Sequence, residues 1–318
     1  MPHSPDSVVH KPAAPQLRVA LVGDRVDWHA RELVGALAGL GARAIPVRLE
    51  DFAFTTDTPF AVHVPGFDGS LPDAVFVRSM SGGSFEAVTL RLGFLHALRE
   101  TGVLVCNDAR AIERCVDKSM TSFLLAHAGI RSPTTWVTES RAAAQDIVQR
   151  EVSRGPLVLK PLFGSQGRNL RLIRTAADLP AASAVAGGVY YLQRFLGVER
   201  DGAFRDFRLL VWQGRVVAAM MRHAPHWITN VKRGGRPVAV VADRAMTELA
   251  LRAAAAVGAD FAGVDILRGG DGQPTVLEVN SMPAWSGLQK VTTLNIAAVV
   301  AAGLIATLSE RAQRGATG

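Results

Sequence analysis

The stretch FAGVDILRGGDGQPTVLEVNSMP, residues 261–283, reads as two β-strands folded about Gly269-Gly270-Asp271-Gly272. Val264, Ile266 and Leu267 precede the turn, and Val276, Leu277 and Val279 follow it. Side chains alternate along a strand, so Glu278 and Asn280 project to one face and Leu277 and Val279 to the other. A turn centred near Asp271 sets Asp265 opposite Glu278, to within a residue or two. Two carboxylates and an amide thus converge on the solvated face of an apolar hairpin. Carboxylates brought that close repel unless a cation sits between them. Oxygen donors without sulfur or imidazole suit magnesium carried in on nucleotide phosphates. Taken alone, the stretch is equally readable as a solvated acidic hairpin face.

The 318 residues suffice for one or two cores, and a hydrophobic content of 48% excludes a disordered chain. The net charge of +7 favours anionic ligands such as nucleotides, acidic peptides or polycarboxylates. It does not point to nucleic acid, because no run of five like charges occurs and the arginines are scattered. Cys106 and Cys115 lack metal or redox spacing and suggest a reducing compartment. Residues 1–16 have no apolar run long enough for a signal peptide and are expected to be a disordered tail. The most apolar helix, expected over Leu294–Leu308, has its apolar run at Ile296–Leu308, which is too short to span a bilayer. Together these features predict a soluble cytoplasmic protein with no membrane partner.

Upstream of the hairpin, Leu17–Val22 is a strand, followed by a helix with Leu33, Val34, Leu37 and Leu40 on one face and Gly41 as its stop. Ala44–Val47 resumes as a strand, an opening that predicts an α/β layer with a parallel sheet. Ala74–Val77 delivers Arg78 and Ser79 at a strand's C-terminal end, where open α/β sheets gather ligands. Arg78 is therefore an anion candidate, with a surface ion pair as the alternative. After a helix over Phe85–Leu98 and a strand at Val103–Val105, this layer closes near residue 113.

Asp117 caps a helix expected to carry Met120, Phe123 and Leu124 inward. Lys118 lies in its first turn, where the helix dipole disfavours a cation, so it is read as facing an anion. The strand Pro156–Lys160 leads to Gly164-Ser165-Gln166-Gly167, a flap with backbone amides suited to phosphate, and to a strand over Asn169–Ile173. No Walker loop is present. Tyr190–Leu196 is a further strand, and Asp206–Arg222 a hairpin about Gln213-Gly214. A three-residue loop, Trp212–Gly214, would pair Asp206 with Met220 and put Arg222 on the face of Asp206 and Arg208; a two-residue loop would put it opposite. The three-residue loop is the expectation. An alanine-rich helix over Glu248–Val257 precedes the 261–283 hairpin.

Individually weak, these signals are specific in their order: Asp117-Lys118, Lys160-Pro161 with the flap, Gln193-Arg194-Phe195-Leu196, Asp206-Phe207-Arg208, Arg222 with Asn230 and Gly234-Gly235, Gly263-Val264-Asp265, and Glu278-Val279-Asn280. The series resembles the ATP-grasp ligases, in particular the RimK-like branch, over roughly residues 70–305. The resemblance implies an ATP-grasp fold preceded by a Rossmann-like pre-ATP-grasp domain. Its division would be a pre-ATP-grasp domain at 17–113, a small lobe at 114–190, a C-terminal lobe at 191–311 and a tail at 312–318. It further implies ATP on Lys118, Lys160 and the flap (Gly164, Ser165, Gln166, Gly167), with the backbone around Arg194 and Phe195 at the adenine edge. Gln193 and Asn230 would border the nucleotide and Asp206 the ribose. One or two magnesium ions, with manganese as an alternative, would sit on Asp265, Glu278 and Asn280. The implied reaction phosphorylates a substrate carboxylate, and an amine then displaces the phosphate. Lys160 and Arg222 are the catalytic candidates, Arg222 stabilising the oxyanion. Arg78, Arg208, Arg222 and Asn230 are the substrate candidates. The resemblance also implies a homo-oligomer.

Two positions depart from the pattern. Arg194 replaces a common acidic residue, and Ile228 replaces a basic one, with Lys232 or Arg233 as its substitute. The segments 226–230 and 280–285 look more like the cofactor-modifying branch, such as the tetrahydromethanopterin:glutamate ligases. Trp227 and Trp285 are candidates for stacking on a flat pterin, or for plain packing. His223 and His226 are read as surface groups. The leading expectation is addition of glutamate to a small anionic cofactor precursor. Glutamylation of a protein C-terminus and a non-catalytic nucleotide-binding protein are the alternatives.

Overall fold

The computed structural model describes residues 16–164 and 167–316. Ser165 and Gln166 of the expected flap lie outside the described residues, as does the expected N-terminal tail but for Gln16. The chain begins β1 (Arg18–Val22), α1 (Trp28–Gly39), β2 (Arg43–Val47), β3 (Ala53–Phe54), β4 (Val62–His63), β5 (Ala74–Val77), α2 (Phe85–Glu100), β6 (Leu104–Cys106) and α3 (Ala109–Val116). It continues through α4 (Lys118–His127), β7 (Thr135–Thr138), α5 (Arg141–Glu151), β8 (Leu157–Lys160), β9 (Arg171–Ile173) and β10 (Tyr190–Arg194). The last third holds β11 (Phe204–Trp212), β12 (Arg215–Ala224), β13 (Arg236–Ala239), α6 (Arg244–Val257), β14 (Phe261–Arg268), β15 (Pro274–Asn280), α7 (Ser286–Gln289) and α8 (Ile296–Ala316).

The first sheet runs β2-β1-β5-β6, all parallel, as the alternation of strand and helix predicts. Its strands are apolar on both faces because both are covered. Val19, Leu21 and Phe76 pack toward α1 and α8, while Ala20, Val22, Val75 and Val77 pack toward α2. The second sheet, β7-β10-β8-β9, is antiparallel and covered by α5 through Ala144 and Val148. The third, β13-β12-β11-β14-β15, is antiparallel and rests on α6.

On the other face of the third sheet, each of three strands changes character along its length. Leu210 and Trp212 of β11, Ala218 and Met220 of β12 and Phe261 of β14 join the core shared with the first sheet. Farther along those strands, on the same side, stand Asp206 and Arg208, Arg222, and Asp265. One end of the face therefore seals the core and the other lines a charged cleft. Asn107, just after β6, ties the two regions together. Its amide donates to the carbonyls of Phe261 (2.6 Å) and Ser281 and accepts from the Phe261 N–H at 2.9 Å.

Four expectations are corrected. The β11–β12 loop has two residues, since Trp212 pairs with Arg215, and Gln213 (φ 46°) and Gly214 (φ 72°) both adopt the left-handed conformation a tight hairpin needs. A bulge then leaves Val217 unpaired between Ala218 and Val216, so Asp206 pairs with Arg222 rather than Met220. The two extra-residue effects restore the expected face for Arg222. On α4 the buried residues are Thr121 and Leu125, whereas Met120 and Phe123 are exposed. Leu40 is the C-cap of α1, not part of its buried face, and Gly41 follows with φ 76°. The last helix has 21 residues and runs through the expected tail to Ala316. Its Ile296–Gly315 stretch has the length and mean hydropathy, 1.2, of a membrane-crossing segment, but Ile296, Val300 and Leu304 are buried in the core.

Candidate active site

The β14–β15 register pairs Asp265 with Glu278 and Gly263 with Asn280, bringing the three oxygen donors onto one patch. The Asn280 amide donates to Glu278 Oε1 at 3.1 Å and to the Gly263 carbonyl at 3.4 Å, which fixes its orientation and leaves its own oxygen for a ligand. Asp265 is engaged otherwise. Both its oxygens accept from Arg208, at 2.6 and 2.7 Å, and Arg222 lies 3.0 Å away. Burial pushes the Asp265 carboxyl up, but the two guanidiniums together hold it well below the usual carboxylate range. Among the described residues no three His, Cys, Asp or Glu side chains form a metal cluster. The donor set is two carboxylates and an amide. It fits a hard cation by chemistry, with Glu278 and Asn280 open and Asp265 covered.

Arg208 and Arg222 are thus not free, as the substrate reading required. Arg222 binds Asp206 in bidentate fashion, through Nε at 2.8 Å and through Nη2, and both residues are buried. Burial depresses the Arg222 guanidinium, yet Asp265 and Asp206 raise it above the ordinary arginine value. Arg222, expected to stabilise an oxyanion, borders the cleft with its guanidinium engaged by two carboxylates. Asp206 borders the cleft with its carboxylate engaged by Arg222.

Two lysines face the same patch. Asp117 caps α4 by accepting from the Ser119 and Met120 N–H groups at 2.8 and 3.2 Å, which starts the helix at Lys118. Lys118 Nζ donates to the carbonyls of Leu162 (3.2 Å) and Gly164 (2.7 Å) at the base of the flap. Lys160 ends β8 and donates to Gln193 Oε1 at 2.6 Å. The Gln193 amide in turn donates to Thr135 Oγ1 and Tyr191 Oη, each at 3.1 Å. Burial lowers the pKa of both lysines, and the Glu278 carboxylate partly offsets this. Two cations with weakened solvation are what a polyphosphate would neutralise.

A cleft between the second and third sheets is bordered by Lys118, Lys160, Gly164, Gly167, Gln193, Arg194, Phe195, Asp206, Arg222, Asn230, Asp265 and Glu278. An adjoining cavity of about 630 Å³ shares Lys118, Lys160, Gly164, Asn230 and Glu278 with it and adds Arg78, Arg208 and Asn280. Every described residue anticipated to hold the nucleotide, the metal or the acceptor carboxylate therefore borders one of two connected spaces, whereas Trp285 and Arg233 border neither. A Cβ on Gly167 (φ 66°) would lie 2.7 Å from Asn230 Oδ1 and from the Ile228 side chain, so the flap presses on the 228–230 segment. Arg233 reaches the Gly167 carbonyl at 3.3 Å, and Lys232 borders the larger cavity.

The Arg194 side chain turns outward to Glu151 (2.6 Å) and the Gly155 carbonyl (2.7 Å). The N–H groups of Arg194 and Phe195 already donate to the carbonyls of Thr134 and Pro156, at 2.8 and 3.0 Å. Neither N–H is available to a base, so the expected adenine contact is left to the carbonyls and to the backbone of the neighbouring Leu196 at the cleft. Trp285 is fully buried against His29 and Phe261 and cannot stack on a ligand. Trp227 does border the smaller cleft, edge-on to Phe195.

The first sheet contributes Arg78, whose guanidinium lies over Trp285 and donates to the Met282 carbonyl at 3.2 Å. Its Nε is buried without a partner. Sequence reasoning missed Asp27 and His29 beside it. His29 Nε2 accepts from the Trp285 and Ser286 N–H groups at 3.2 Å, so the proton sits on Nδ1 and is donated to Asp27 at 3.0 Å. The Asp-x-His spacing at the start of α1 is the one signal that pointed to this brace.

Comparison with known proteins bears on the same region. Residues 115–304 match the model of the RimK-like ATP-grasp domain. The chain is 30% identical to the tetrahydromethanopterin:alpha-L-glutamate ligase of Methanosarcina acetivorans over 304 residues, covering 84% of this chain and 92% of that one. Identity to the protein of the same name from Methanococcus maripaludis is 36% over 288 residues, covering 88% and 95%. Among solved structures, the ATP-grasp ligase PsnB complexed with minimal precursor, Mg and ADP superposes with a TM-score of 0.69 at 23% identity, covering 92% of this chain and 98% of that one. The D-cycloserine synthetase DcsG superposes with a TM-score of 0.66 at 22% identity, covering 92% and 99%.

Proposed function

The chain belongs to the RimK-like ATP-grasp family of ligases, and from that premise we propose that it joins an amino acid, glutamate first, to a carboxylate of a small anionic cofactor precursor. ATP would be spent and ADP released. The observation that carries this reading is the meeting of Lys118, Lys160 and Glu278 where the two cavities join, with Asn280 bonded to Glu278 on the side of the larger one. A triphosphate lying in the smaller cleft would end there, against an acceptor lying in the larger.

In this reading Lys160 and Lys118 bind the phosphates and orient the terminal one toward the acceptor. Glu278 and Asn280, with Asp265, would hold one or two magnesium ions, which supply charge neutralisation during phosphoryl transfer. An acceptor carboxylate oxygen bonds to the γ-phosphorus as its bond to the β,γ-bridging oxygen breaks, giving an acyl phosphate and ADP. The amine of the second substrate attacks the acyl carbon, loses a proton, and inorganic phosphate departs with its C–O bond pair. Similarity to ligases named for tetrahydromethanopterin supports a small-molecule acceptor. Both cysteines are unpaired, which fits a cytoplasmic setting.

The test is incubation with ATP, magnesium and labelled glutamate, offering a metabolite extract in one arm and a peptide library in the other. Mass increments of a glutamyl residue on a small molecule are expected. Increments on peptides alone would reject the cofactor reading.

A further inference from the structure

Arg208 stands where a metal ion would have to enter. Its Nε and Nη2 donate to the two oxygens of Asp265 at 2.6 and 2.7 Å, so one planar fork covers the whole carboxylate edge. Arg222 reaches the same carboxylate, but the two arginines are not equivalent. The Arg222 side chain is 3% exposed and bound twice over to Asp206, its direct partner in the β11–β12 ladder. The Arg208 side chain is 13% exposed and has no second carboxylate partner among the described residues. It also borders the larger cavity, whereas Asp265 borders the nucleotide cleft.

An ionised carboxylate offers about four lone-pair directions, and three guanidinium contacts already occupy Asp265, so a divalent ion gripping both its oxygens would have to displace the Arg208 fork. The quartet of Asp206, Asp265, Arg208 and Arg222 is neutral as it stands. Both arginines border open space, but Arg222 is held by Asp206 as well, so Arg208 is the one free to move, into the larger cavity. That space is the one the ligase reading assigns to the acceptor.

We infer that Arg208 serves two carboxylates in turn: Asp265 while the metal is absent, and the acceptor's carboxylate once a divalent ion has taken Asp265. The identity of the second carboxylate rests on the ligase reading. Metal and nucleotide loading thereby switches on a binding group for the acceptor, which favours their binding first.

The experiment titrates Mn²⁺ into the full chain with saturating ADP, by electron paramagnetic resonance, for wild type, Arg208→Lys and Arg208→Gln. Lysine keeps the charge but loses the fork. Removing a bidentate competitor should tighten Mn²⁺ about tenfold in both variants. No tightening in either, or tightening in the glutamine variant alone, would overturn the inference, the latter because only the overall field would then matter. Glutarate serves as the dicarboxylate probe, titrated with and without Mn²⁺ and ADP. Its affinity should rise at least several-fold with them in wild type and not in Arg208→Gln, and equal affinity in wild type would overturn the handover. ADP binding separates the two claims. A wild-type chain that binds no ADP defeats the ligase reading, whereas ADP binding with unaltered Mn²⁺ affinity in the variants defeats only the role of Arg208.

Discussion

Asp206 and Arg222 face each other directly across the β11–β12 ladder and are joined by two hydrogen bonds, both residues being almost wholly buried. Their meeting depends on the unpaired Val217, because the two-residue turn alone would send Arg222 to the side of α6. Arg222→Met should strand the buried Asp206 carboxylate, strip Asp265 of one of its two guanidiniums, and cost about 3–5 kcal/mol. Adding Asp206→Leu should recover part of that loss. Urea unfolding of the single and double variants checks this. A loss below about 1 kcal/mol would show the pair to be solvated.

Acid should unfold the chain through Asp265. Its folded carboxyl is depressed below the ordinary aspartate value of about 3.9, so between the two values the unfolded chain binds more protons. The resulting stability is complete above that ordinary value and is lost as pH falls through the folded one. Arg208→Gln removes part of the depression, so its acid transition, followed by circular dichroism, should begin at higher pH than that of wild type. Coincident transitions would contradict the assigned cause.

Lys160 should make ADP binding pH-dependent. Burial lowers its pKa in the free chain, and a phosphate would favour the charged form. ADP affinity should therefore decline on the alkaline side at a pH below the ordinary lysine value of about 10.4. Lys160→Ala should flatten part of that decline and weaken binding by about 1.5–3 kcal/mol. Calorimetry across the pH range measures both.

Gly235 controls the segment that carries Thr229 and Asn230. Its N–H donates to the Asn230 carbonyl at 3.1 Å, and a Cβ there would fall on the Thr229 carbonyl. Gly235→Ala should displace Asn230 from the cleft and weaken ADP binding several-fold, with the unfolding midpoint little changed. Unaltered ADP affinity would remove this segment from the site.

Much of this was legible in the sequence because it is local. The approach of Asp265 to Glu278 was legible to within a residue or two, and the Asp117 cap from residue type alone; the irregularity that leaves Leu277 unpaired and fixes that register was not. The inward face of α4 was misjudged because Met120 and Phe123 are apolar yet point to solvent, leaving Thr121 and Leu125 to pack. Pattern cannot tell an exposed phenylalanine from a buried one. The engagement of Arg208 and Arg222 with Asp265 was hidden for another reason. It joins residues more than forty positions apart on three strands, and a bulge at Val217 decides which face Arg222 takes. Likewise the bracing of Trp285 by His29 spans 256 positions.

The central claim is that the chain spends ATP on amide synthesis with Glu278 at the reacting phosphate. The most direct measurement is glutamate-dependent ADP release, with ATP, magnesium and a metabolite extract, for wild type and Glu278→Gln. Wild type should release ADP only with glutamate and acceptor present, and a folded Glu278→Gln should release essentially none. Undiminished release by the variant would contradict the account.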